Sequence, residues 1–211
     1  MNDAHASICR AEVRGRPVRQ CAAVTLLRGD VRFIATAIGP PRAWAYALDA
    51  VVAGFRESIA TASGASPGDA LEKAIVSARG RLVDACNALV ERESPDAHIC
   101  GLWILPRRLY IAGAGTNRVY RHRGVRPERI TPRHQSGGVL QSPLHASDVE
   151  LDTGDVLLAG SESAFSTISV ASVATVLQES PPPKATVLAS LMTDPARKAG
   201  AGAAALAIRV R

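Results

Sequence analysis

Two β-rich runs, Cys21 to Leu27 and Val31 to Ala37, are parted by the turn-forming Arg28-Gly29-Asp30 and read as a hairpin. The hydrophobic period then changes. After Pro40-Pro41, the residues Trp44, Leu48, Val51, Phe55 and Ile59 recur at helical spacing, which predicts an amphipathic helix over Arg42 to Ala62. The loop Ser63-Gly-Ala-Ser-Pro-Gly68 interrupts it. Ser66, with Pro67 at the first helical position and Asp69 three residues on, marks a second helix start. Leu71, Ile75, Ala78, Leu82, Ala85 and Leu89 form the stripe of that helix, which closes near Ser94-Pro95.

Short strands follow: Ile99 to Leu105, Arg108 to Ala114 after a turn at Pro106-Arg107, and Asn117 to Arg123 after a turn at Gly115-Thr116. They read as a three-strand meander in which Trp103 and Tyr110 are packing residues. Beyond Gln135-Ser-Gly-Gly138 the pattern gives strands at Asp148 to Leu151 and Asp155 to Ala159, then a helix over Ser169 to Glu179 stopped by Pro181-Pro-Pro183. A further helix over Lys184 to Met192 and a closing strand over Ala204 to Val210 complete the chain. This order predicts an α+β fold, a four-layer α-β-β-α sandwich of two antiparallel sheets flanked by helix pairs.

The 211 residues are 47% hydrophobic with no internal shift in composition, so one domain spanning 1–211 is expected. Aromatics are only 4%, and small aliphatic residues must therefore fill the interior. Cys9, Cys21, Cys86 and Cys100 form no Cys-x-x-Cys pair and have no histidine at zinc spacing, the pattern of buried or incidental free thiols. The first residues carry neither a basic leader nor an apolar run, and no apolar stretch nears the ~20 residues of a membrane span, so a soluble cytoplasmic protein is expected.

Net charge is +6, and the excess is local: Ala97 to Pro127 holds no acid but contains Arg107, Arg108, Arg118, Arg121, Arg123 and Arg126. Such a stripe suits a solvated hairpin face, a phosphorylated partner or nucleic acid. The lack of interleaved aromatics weighs against nucleic acid. His5, His98, His122, His134 and His145 show no metal-ligand spacing. Gly160-Ser-Glu-Ser-Ala164 lacks the last glycine of a nucleophile elbow, and no base can be assigned to Ser161. Gly113-Ala-Gly115 and Gly137-Gly138 have no following lysine and read as turns.

Several blocks together resemble one family. Leu109-Tyr-Ile-Ala-Gly-Ala-Gly-Thr-Asn-Arg-Val-Tyr-Arg-His-Arg-Gly124 is similar to L-Y-x-A-N-x-G-D-S-R-x-Y-L-x-R-x-G of the metal-dependent protein phosphatases, type 2C or PPM. Asp148-Val-Glu-Leu-Asp-Thr-Gly-Asp-Val-Leu-Leu-Ala-Gly-Ser-Glu-Ser-Ala164 resembles D-V-x-L-x-x-G-D-x-L-L-L-C-S-D-G-L, and Phe33-Ile-Ala-Thr-Ala-Ile-Gly39 resembles F-x-V-A-D-G-M-G. The final strand matches the end of D-N-x-T-V-V-V-V-x-V, and Gly15 to Ala23 falls on G-x-V-R-x-x-N-E-D-A.

The resemblance implies a two-metal Mn or Mg phosphatase, yet the acid positions depart from it. Thr36-Ala37, Thr116-Asn117, Glu162-Ser163 and Ala201-Gly202 stand where the family has its metal-site acids and their neighbours, and no Asp or Glu lies between Glu12 and Asp30. Turn and strand residues such as Arg118, Gly154-Asp155 and Arg123-Gly124 do match. The segment resembling the family's flap is shortened or absent, only about Arg133 to Ala146 being available.

The expectation is therefore a pseudophosphatase with no metal cofactor, binding a protein partner such as a kinase, a phosphoprotein or an assembly component, with no membrane attachment. The alternatives are an active but unconventional metal-dependent phosphatase using Glu162, and a basic nucleic-acid-binding domain. Arg16 or Arg19 occupies the place of the family's phosphate-holding arginine and is the candidate anion anchor. Arg121, Arg123 and Arg126 form the candidate partner surface.

Overall fold

Alternation along Val31 to Ile38 sends Val31, Phe33, Ala35 and Ala37 to one side and Ile34 to the other, and all five are buried, so this strand needs cover on both faces. The computed structural model, which describes residues 3–27, 30–89, 94–124, 126–133, 136–166, 168–179 and 183–211, supplies that cover. Arg28-Gly29, His134, Gln135 and Pro181-Pro182 of the sequence reading lie outside these residues.

The elements run β1 (Asp3–Cys9), β2 (Ala11–Val13), β3 (Arg16–Val18), β4 (Cys21–Leu26), β5 (Val31–Ile38), α1 (Trp44–Thr61), α2 (Pro67–Asn87), β6 (Asp96–Leu105) and β7 (Arg108–Ala114). They continue β8 (Arg118–Arg123), β9 (Arg126–Arg129), β10 (His145–Glu150), β11 (Val156–Gly160), α3 (Glu162–Ser166), α4 (Val170–Leu177), α5 (Ala185–Lys198) and β12 (Ala203–Arg209). One five-stranded sheet has the order β10-β7-β6-β5-β4, and the other the order β1-β12-β11-β8-β9. Their strand pairs are antiparallel. Helices α1 and α2 cover the first sheet, and α5 with the shorter α3 and α4 covers the second. Between the sheets lies a third core that includes Ile34, Leu102, Ile111, Leu157 and Leu206. The α-β-β-α layering read from the sequence is the one observed.

The helix pair follows from its own residues. Ser66 caps α2 by accepting the Asp69 N–H at 3.2 Å, with Pro67 in the first turn. Gly54 of α1 lets the two helices meet closely: a Cβ there would stand 2.7 Å from the Ser77 carbonyl oxygen and 2.9 Å from Ala78 Cα. Phe55 reaches the sheet below, stacking on Phe33 with centroids 4.2 Å apart.

Four features differ from the expectation. The chain from Ile99 to Arg123 is not a three-strand meander, because β8 leaves the first sheet and pairs with β11 and β9 of the second. Gly115, at φ +92°, presses so closely on His98 that only a glycine fits, and the connection there arches between sheets rather than folding back. Second, α2 ends at Asn87, short of Ser94-Pro95. Third, α5 continues past Met192 through Pro195 to Lys198; the proline falls in the last turn, where little ladder remains to be broken. Fourth, β1, β2, β3 and β9 were not marked by the sequence pattern, β1 finding its partner only in β12, near the far end of the chain. Between β9 and β10 the described residues form no helix, and buried Val139 ties this segment to β6 by donating its N–H to the Ala97 carbonyl at 2.7 Å.

The registers Cys21↔Thr36, Thr36↔His98 and Gly160↔Ala205 bring one set of strand ends together. There lie the start of β4, the C-terminal part of β5, the start of β6 and the residues flanking β8, β11 and β12.

Candidate functional site

At these strand ends neutral polar groups form two buried hydrogen-bonded sets. Thr36, on β5, donates its hydroxyl to Asn117 Oδ1 at 3.2 Å, and Asn117 Nδ2 donates to the carbonyls of His98 (3.0 Å) and Ile34 (3.2 Å). On the other side of Thr36, the Cys21 thiol donates to Thr36 Oγ1 at 3.7 Å. Ser161, just past β11, shares a 2.9 Å bond with Ser163, whose hydroxyl donates to the Gly202 carbonyl at 2.6 Å. The N–H groups of Ala204 and Ala164 also point at Ser161 Oγ. Cys21, Asn117 and Ser161 are at most 2% exposed. Burial pushes the Cys21 thiol up to about 12, against the pull of its bond to Thr36, which disfavours a free thiolate nucleophile at neutral pH.

The structure thus gathers Thr36, Asn117, Ser163 and Gly202 from the predicted site. Ala37 lies on the opposite face of β5, packed into the helix-covered core. Ala201 lends its carbonyl to the Cys9 thiol at 3.3 Å, donates its N–H to the Ala196 carbonyl at 2.9 Å, and packs against the core under α5. Gly202 is held against Gln20, where a Cβ would come within 2.7 Å of the side-chain oxygen. Glu162 points outward, its side chain 52% exposed, and pairs with Arg118 at 3.0 Å. Among the described residues no three His, Cys, Asp or Glu side chains converge.

The sequence reading missed Asp96, His98 and the bond from Cys21 to Thr36. Asp96 Oδ1 accepts from the N–H groups of Ala97 and Leu140, while Asp96 Oδ2, His98 Nδ1 and Thr116 Oγ1 are buried with no hydrogen-bond partner among the described residues. Burial holds His98 below its ordinary pKa, opposed by the nearby carboxylates of Asp96 and Glu162. The β5–β6 register is the signal that places His98 beside Thr36, and only pairing reveals it.

The candidate anion anchors separate. Arg19 is engaged by Asp49 and the Ala45 carbonyl, whereas Arg16 is exposed on β3. The hairpin arginines are largely neutralised within the fold. Arg121 bonds to Glu128 and to the Glu150 carbonyl, and Arg123 grips Asp155 through two bonds of 2.8 and 2.7 Å while also meeting Asp152. Arg126 stays exposed.

The Arg123–Asp155 pair gives a pH dependence. Burial alone raises the Asp155 pKa, but the Arg123 fork and the Asp152 N–H outweigh it and hold the carboxyl below its usual value. A folded pKa below the unfolded one means that the contribution is full above about pH 4 and fades as pH falls through the folded value. Asp155→Asn is therefore expected to shrink the loss of stability between about pH 6 and pH 3. Urea midpoints of the two proteins at both pH values check this, and an unchanged pH response in the variant would refute it.

No family model matches the sequence, and no curated protein matches it. Solved structures do. The catalytic domain of the serine threonine protein phosphatase PstP, in complex with two manganese ions, is 15% identical over 99% of this chain and 97% of that one, with a TM-score of 0.81. PppA of Pseudomonas aeruginosa, described as a key regulatory component of T6SS, is 18% identical over 100% and 98% with a TM-score of 0.76. The PPM Ser-Thr phosphatase MsPP from Mycobacterium smegmatis, in complex with cacodylate, is 18% identical over 99% and 98% with a TM-score of 0.71.

Proposed function

From a chain that has the fold of the PPM-type serine/threonine phosphatases, we infer a catalytically silent member of that group, a pseudophosphatase acting as a cytoplasmic binding or regulatory module for a protein partner. The observation that carries this reading is the pair of buried hydrogen-bonded sets at the strand ends, Asn117–Thr36–Cys21 and Ser161–Ser163. Most groups at the strand ends satisfy one another, and the one carboxylate at the start of β6, Asp96, accepts two backbone N–H groups through Oδ1 and keeps only Oδ2 unpaired, so no cluster of anionic ligands is presented among the described residues.

Magnitude decides the metal question. Two divalent ions about 4 Å apart repel by roughly 16 kcal/mol at an effective dielectric near 20, which a cluster of carboxylates must offset. Thr36, Thr116, Asn117 and Ala201 bring no charge, Glu162 is already matched by Arg118, and the single buried carboxylate of Asp96 offsets only a fraction of that repulsion. The residues present do not fit a pair of divalent ions. Titration calorimetry with Mn²⁺ is expected to be flat in the micromolar range; tight binding of two equivalents would overturn the reading.

The partner class proposed is a kinase, a phosphoprotein or a component of an assembly that such enzymes control. Nucleic acid gains no support, since Arg108, Arg118, Arg121 and Arg123 are each matched by carboxylates of the same fold.

A further inference from the structure

The first sheet ends on β4, whose outer edge has no strand beside it among the described residues. Which backbone groups face that edge follows from one bond. The Gln20 carbonyl accepts the Ala37 N–H at 2.8 Å, so Gln20 and Ala37 are a hydrogen-bonded pair in the β4–β5 register. Alternation then turns the N–H and C=O of Ala22, Val24 and Leu26 toward β5 and those of Cys21, Ala23 and Thr25 outward. Unpaired edge groups of this kind are a template for a further strand.

A cleft of about 490 Å³ lies along this edge, between α1 and the end of β1. Its apolar wall includes Leu48 and Val52 of α1 and Ile8 of β1, the last 43% exposed. Its charged lining is Arg10, Arg19, Arg56 and Asp49. Arg19 and Asp49 neutralise each other. Arg10 and Arg56 are exposed, form no ion pair among the described residues, and leave the cleft net positive.

We propose that this cleft binds an extended acidic segment of another protein, which adds to the first sheet as a strand beside β4. Main-chain bonds go to Ala23 and Thr25, side chains on the face toward α1 meet Val52 and Arg56, and those on the face toward β1 meet Ile8 and Arg10. A second copy of this chain fits poorly, because pairing two β4 edges brings the arginines of both copies together. The site lies outside the hydrogen-bonded sets of the candidate centre except for Cys21, and it stands whether or not that centre turns over phosphate.

The test uses the full chain and a capped synthetic peptide of Glu-Glu-Val-Val repeats, which puts both residue types on each face, about eight residues long to match a strand, against the same peptide with Lys for Glu. The acidic peptide is expected to bind with micromolar affinity that weakens with salt, and to slow hydrogen exchange at the Ala23 and Thr25 amides while leaving Ala22 and Val24 unchanged. Ala23→Pro removes an outward N–H that the β4–β5 ladder does not use, and so should fold yet lose binding. Arg10→Glu with Arg56→Glu leaves the edge intact and should weaken binding at least about tenfold. Equal binding of the Lys peptide, protection elsewhere, or wild-type affinity in the folded Ala23→Pro or double-arginine variant would overturn the proposal. Concentration-dependent self-association through the same amides would assign the edge to a second copy and overturn it as well.

Discussion

Replacing Phe55 with alanine is expected to cost about 3–5 kcal/mol, the largest single effect in this fold. Its ring is fully buried, stacks on Phe33 at 22° between planes, and fills the hollow over Gly101, where a Cβ would come within 2.8 Å of it. Aromatics make up only 4% of the chain, and small residues such as Ala47 and Ala74 share this core. Side chains that short cannot move in to close the cavity, so the cost should lie near the top of the range. Urea unfolding at neutral pH measures it; a loss below about 1.5 kcal/mol would mean that α1 is not anchored through this ring.

The second large effect falls in the candidate site. Asn117→Ala is expected to lower stability by about 1–3 kcal/mol, since it removes the acceptor of the buried Thr36 hydroxyl and the second partner of the His98 and Ile34 carbonyls, which keep their bonds in the β5–β6 ladder. Its sign bears on function. Residues held for chemistry commonly cost stability, and replacing them tends to stabilise the protein. A destabilised Asn117→Ala variant is what a structural network requires, whereas a rise in the unfolding midpoint would mark this position as functionally strained.

Much of the fold was legible because its signals are local. Ser66, Pro67 and Asp69 announce the start of α2, and the stripe from Trp44 to Ile59 announces α1. The strand Arg108 to Ala114 is observed with the bounds its alternation suggests. What stayed hidden depends on pairing between distant segments. A Gly-Thr turn looks the same whether the chain folds back or arches to a second sheet, and the contact that decides it, Gly115 on His98, joins residues far apart in sequence. The weakly patterned β1 needs β12 to be recognised as a strand.

The site divides in the same way. That Thr36 and Asn117 sit near each other follows from the blocks that resemble the phosphatases; that the Cys21 thiol bonds to Thr36 does not. The arginine stripe misled in one respect, because a run without acids suggests an open positive surface. Asp155, 32 residues from Arg123, returns the missing charge through the fold.

The central claim, a phosphatase fold without phosphatase chemistry, is tested most directly by turnover of a simple aryl phosphate with the full chain, with and without saturating Mn²⁺. The account predicts release no faster than in buffer containing the same Mn²⁺, and no change on Glu162→Gln. Mn²⁺-dependent turnover that Glu162→Gln abolishes would contradict it and establish an active, unconventional phosphatase.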